Sequence, residues 1–207
     1  MTGYRQLHEQ SNVAAAVLVA LAEFGIESID PSKRGQELTL HGLIQRGPYV
    51  EGRALLLAHA LKYLFDRGVS WQIFHDSQRT TALRQRLEEA VPGFEFRLHE
   101  DLGSPATRAF SVASDLPNGA LALFLEARPG FGRLPLHLLL AKRHEAGFLI
   151  MDSSNGQCFS CSRDELSVHL TAPVHFGPLN FASGMYLHTG IAIRLDRPEP
   201  SALLDAL

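Results

Sequence analysis

Two residues in the segment "PLHLLLAKRHEAGFLIMDSSNGQCFSCSRDEL" are of types that move protons together: His137 and Asp152. "HEAG" reads as the turn of a hairpin between "LHLLLAKR" and "FLIMDS", and pairing outward from it sets Leu139 opposite Asp152. His137 then becomes the diagonal neighbour of Asp152 on the same face, with Cβ atoms roughly 7–8 Å apart, within reach of a histidine–carboxylate hydrogen bond. A carboxylate so placed fixes the imidazole tautomer and stabilises the imidazolium, which is the arrangement of a general base and its orienter. A slip of one residue would put the two on opposite faces. The plain alternative is that His137 begins one strand and Asp152 ends the next.

A second candidate lies in "YRQLHEQSNVAAAVLVALAEFG", residues 4–25, where Gln6 precedes a short polar turn that feeds an alanine-rich helix. Ser11 or Asn12 is the expected N-cap and Gly25 the stop. Asn is among the best caps, worth roughly 1 kcal/mol over Ala. Other chemistry finds little support. Cys158 and Cys161 form one C-x-x-C without a partner pair, whereas zinc wants four ligands, so they read as incidental thiols along a strand. His8, His41, His59, His75, His99, His144, His169, His175 and His188 show no H-E-x-x-H or comparable spacing. No phosphate-binding glycine motif is present. Neither a metal nor a cofactor is expected.

The elements that must position these residues change character along the chain. Residues 13–24, "EGRALLLAHALKYLFDRG" and "QRTTALRQRLEEAV" read as helices from their apolar periodicity. "GALALFLEA", "LHLLLAKR", "GFLIMDS", "GQCFSCS" and "MYLHTGIAIRL" read as strands, with a short helix "RDELSVHL". "SSNGQ" supplies a glycine turn, Asn-Gly being favoured in tight hairpins. Helices first and strands later imply an α+β fold with an antiparallel sheet, in one domain over residues 1–207.

With 45% apolar residues, 20% charged and a net charge of −3 over 207 residues, the chain has the composition of a globular domain. Its signs are interspersed, so no basic surface argues for nucleic acid. No apolar run approaches a membrane span. "VAAAVLVALA" before Glu23 has the look of a secretory core, but Arg5 alone precedes it and Glu9 offsets that charge. Two cysteines are too few for a disulfide framework. The expected location is cytoplasmic, with secretion as the alternative.

The block "NGALALFLEARPGFGRLPLHLLLAKRHEAGFLIMDSSNGQCFSCSRDELSVHL" resembles the second half of papain-like cysteine peptidases, nearest the branch of bacteriocin-leader (double-glycine) peptidases. That branch has a histidine opening one strand and an Asp ending the next, followed by a glycine turn and a small helix. Papain-like type III effector proteases share the pattern. The resemblance extends to the first half. An oxyanion-hole glutamine there lies six residues before a cysteine heading a small-residue helix, and six residues after Gln6 stands Asn12. "GPYVEGRALLLAHAL" likewise resembles the branch's second helix.

The resemblance implies a papain-like fold with N-terminal helices on a C-terminal antiparallel sheet. It gives Gln6 the oxyanion position, His137 the base, Asp152 the orienter and Asn12 the place of the nucleophile. An asparagine amide has no nucleophilic form comparable to a thiolate at a helix N-terminus. Ser11 is adjacent, but serine needs closer activation than cysteine.

The leading expectation is therefore a bacterial, catalytically silent peptidase-like protein that binds a polypeptide or protein partner in the former substrate cleft. Two alternatives stand: an active hydrolase or acyl transferase (peptidase or deamidase) using another nucleophile, and an effector or interaction protein built on this fold.

Overall fold

The alanine- and valine-rich run after Ser11 is apolar on every side, and a helix of that kind must be enclosed. In the computed structural model it forms α1 (Asn12–Glu23), buried continuously from Asn12 to Leu21. The structure describes residues 1, 3–8, 11–30, 35–45, 53–75, 116–127, 136–145, 147–166 and 187–197. Gly25, at φ +73°, ends α1. Ile26 N–H bonds to Leu21 O and Gly25 N–H to Ala22 O, both at 3.0 Å, the Schellman pattern in which a left-handed glycine satisfies the last carbonyls. α2 (Gly35–Gln45) and α3 (Arg53–Phe65) follow, and Gly68, at φ +79°, closes α3 in the same manner.

Six strands form one antiparallel sheet: β1 (Ser70–His75), β2 (Leu121–Ala127), β3 (Leu136–His144), β4 (Gly147–Asp152), β5 (Gln157–Cys161) and β6 (Leu187–Asp196). Their order across the sheet is β1-β6-β2-β3-β4-β5. Alternation divides the side chains between two faces. Leu123, Leu125, Leu138, Leu140, Met151 and Ile193 pack against the three helices. Phe124, Leu139, Ala141, Phe148, Ile150 and Ala192 form a second core with Leu116 and Leu166 on the far side. Because both faces are covered, residues 121–125 of β2 and 138–141 of β3 read as unbroken apolar runs.

The fold is thus α+β, with helices leading and an antiparallel sheet, in the order the papain-like resemblance implies. Two elements were not expected. α2, "GQELTLHGLIQ", holds two glycines and lacks a clean apolar stripe. β1, "SWQIFH", is a short run in the helical half, and it lies at the sheet edge beside β6. The expected helix "QRTTALRQRLEEAV" lies outside the described residues, as does "RDELSVHL" beyond the helical turn 163–166.

Candidate functional site

The β3–β4 hairpin has the register expected of it: His144 pairs with Gly147, and Leu139 with Asp152. His137 Nε2 lies 3.0 Å from Asp152 Oδ1. Asp152 Oδ1 also accepts hydrogen bonds from Ser154 N at 2.9 Å and Ser154 Oγ at 2.7 Å. Burial works to raise the Asp152 carboxyl, but the His137 hydrogen bond and charge, with the Ser154 donors, outweigh it and hold the group below the ordinary carboxylate range. Both residues are nearly enclosed, at 4% and 3% exposure. Sharing parity with Leu139 and Ile150, they belong to the sheet face away from the helices.

Of the two residues expected as N-cap, the structure uses Ser11, which makes no side-chain cap bond, and Asn12 heads the helix. Its carboxamide joins α1 to β3. Leu138 N–H donates to Asn12 Oδ1 at 2.6 Å, and Asn12 Nδ2 donates to Leu138 O at 3.2 Å and to Ser153 Oγ at 2.8 Å.

The hairpin explains why Leu138 needs this partner. In an antiparallel ladder alternate residues exchange both backbone bonds. Counting back by twos from His144, next to the two-residue turn, gives Lys142, Leu140 and then Leu138, whose register partner would be Ser153. The chain turns away after Asp152, and Ser153 O instead accepts Gln6 N–H at 2.8 Å. The Asn12 side chain takes the place of the missing peptide group.

Gln6 enters the same cluster, its Oε1 accepting Ser153 Oγ at 2.9 Å. Close backbone packing holds its segment beside the turn 153–156. A Cβ on Gly156 would stand 2.7 Å from Arg5 Cβ, and one on Gly3 would stand 2.4 Å from Gly156 O. The four site residues therefore fall into two adjacent groups, His137 with Asp152 and Gln6 with Asn12. Leu138 and Ser153, the next residues along each strand, connect them.

Three residues near the site carried no local signal. Ser153 looks like any turn serine. Glu126, 3% exposed on β2, lies in register with His137 on one side and His188 on the other. Glu37 of α2 is fully enclosed and accepts Tyr4 OH at 2.9 Å, Leu7 N–H at 2.9 Å and the Ser11 hydroxyl. Burial and then the Glu37 carboxylate push the Tyr4 hydroxyl well above its usual range.

Cys158 and Cys161 are three residues apart on β5 and so face opposite sides of the sheet. Burial, followed by Glu165, pushes the Cys161 thiol up to about 12. Among the described residues no three His, Cys, Asp or Glu side chains converge as metal ligands. No described helix is long and apolar enough to cross a membrane.

The site thus pairs an imidazole with a carboxylate in an α+β fold, next to a helix start that carries an amide. No family model and no curated protein matches the chain. Among solved structures it is similar to the Pseudomonas avirulence protein AvrPphB, with a TM-score of 0.42 and 13% identity over 95% of this chain and 97% of that one.

Proposed function

We propose that this chain is a single, catalytically silent papain-like domain whose former substrate cleft, beside the start of α1, Gln6 and the His137 end of β3, receives a polypeptide segment of a partner protein. The observation that carries the reading is the commitment of Asn12. Both amide protons and the carbonyl oxygen are engaged by Leu138 and Ser153, which leaves a structural junction where the resemblance calls for a thiol.

The active-enzyme alternative draws on the intact His137–Asp152 pair. Among the described residues the hydroxyls near that pair are already committed, Ser154 Oγ donating to Asp152 Oδ1 itself. The Ser11 hydroxyl is held between His8 O and Glu37, and the Ser153 hydroxyl is directed to Gln6. A cytoplasmic location and a bacterial source belong to the same proposal.

The test is the Asn12→Cys variant, labelled in parallel by iodoacetamide and by an extended peptide bearing a vinyl sulfone. A cleft that seats polypeptide should favour the peptide reagent by about tenfold over its ratio with free cysteine, a preference of about 1.4 kcal/mol. Excess unreactive peptide should remove that preference. Equal ratios in the folded variant would end the polypeptide-binding reading.

A further inference from the structure

At the helix start that would activate a nucleophile at position 12, a second side chain bears on that activation. The N-terminal end of a helix carries partial positive charge, and this is one of the means by which a thiolate there is stabilised. Here an acidic side chain already stands beside that end. Glu37 reaches from α2 to the hydroxyl of Ser11, the N-cap of α1, and to the amide of Leu7 four residues earlier. It is wholly buried. A charge out of water acts on its neighbours far more strongly than an exposed one.

We propose that Glu37 is a second block on this site: its carboxylate, bonded to the hydroxyl of the N-cap residue, offsets the positive end of α1, so that placing a cysteine at position 12 does not by itself give an activated nucleophile. The inference rests on the papain-like reading of Asn12. Among the described residues, the charged and titratable groups around the helix start include Glu37 and His41 on α2 and Tyr4, Arg5 and His8 on the leading segment, while His137 on β3 and Asp152 on β4 lie on the sheet face away from the helices. His8 and His41 face each other with ring centroids 6.1 Å apart. Burial, then His8, lowers the His41 pKa, while Glu37 opposes the shift. At neutral pH that imidazole is therefore a weak counterweight to Glu37.

The experiment measures iodoacetamide alkylation against pH for Asn12→Cys and for Asn12→Cys/Glu37→Gln, with the adduct located by mass spectrometry. Glutamine keeps the shape of Glu37 and an acceptor oxygen while removing the charge. With Glu37 in place the introduced thiol should titrate at or above about 8.5, the ordinary cysteine value. In the double variant the midpoint should fall by about one unit, the usual size of a neighbouring-charge effect, and alkylation at pH 7 should rise about tenfold. An equal midpoint in the two variants would overturn the proposal. So would a thiol titrating well below 8.5 in Asn12→Cys alone, a result that holds even if the double variant does not fold. Loss of the peptide-reagent preference would remove the polypeptide-binding reading without touching the Glu37 effect, so the two fail separately.

Discussion

His137–Asp152 and Asn12–Leu138 are adjacent on β3, yet they satisfy polar groups by different means. The first is a side-chain pair across two strands, fixed by the hairpin register. The second is a side chain standing in for backbone, 126 residues away in sequence, where β4 leaves the sheet. A buried side-chain pair can be exchanged for apolar groups at modest cost, because both partners can be removed together. Leu138 N–H and C=O cannot be removed. The teaching is that Asn12 is held in place by the needs of the backbone.

That difference can be broken or sharpened by measurement. The largest expected effect is Asn12→Ala, which strands both Leu138 backbone groups and leaves a small void, costing about 3 kcal/mol in urea unfolding. If Asn12→Ala proved no more damaging than His137→Ala, the backbone argument would fail.

Next is Asp152→Asn. The folded carboxyl titrates below its unfolded value, so its contribution is present above about pH 4 and is lost as the pH falls through the lower, folded value. The asparagine variant should lose about 1–2 kcal/mol at pH 7 and show a flatter acid limb than the wild type. An unchanged acid limb would mean that the His137 contact contributes little.

The smallest effect is expected from Ser153→Ala, which removes one of the two Asn12 Nδ2 acceptors and the donor to Gln6 while leaving the Leu138 pairing intact. A loss of about 1 kcal/mol is expected by thermal unfolding. A loss as large as that of Asn12→Ala would place the weight of the junction on Ser153 instead.

The two regions also differed in how far the sequence revealed them. His137 and Asp152 could be placed because a single two-residue turn determines every pair outward from it. α1 and its Gly25 stop were equally local, as were β2 through β5. Asn12 was legible as a helix start but not as a bridge, since nothing near it in sequence shows that β4 ends one residue short of Leu138. Glu37 and Glu126 were missed because their meaning lies in which elements they meet. Glu37 sits on a helix whose glycines hide it, and Glu126 gains its neighbours only when β2 is inserted between β3 and β6.

The Asn12 bridge also has a consequence in time. A contact between residues so far apart in the chain carries a loop-closure cost that local pairs do not. The β3–β4 hairpin needs only a two-residue turn, and its inner pairs can form before α1 has found the sheet. The last rung cannot, because its acceptor arrives with the helix. In pulsed hydrogen exchange during refolding, the Leu138 amide should therefore gain protection after Leu140, although the two are neighbours on one strand. Simultaneous protection would mean that α1 docks before the hairpin closes, making the helix the template and the strand the follower.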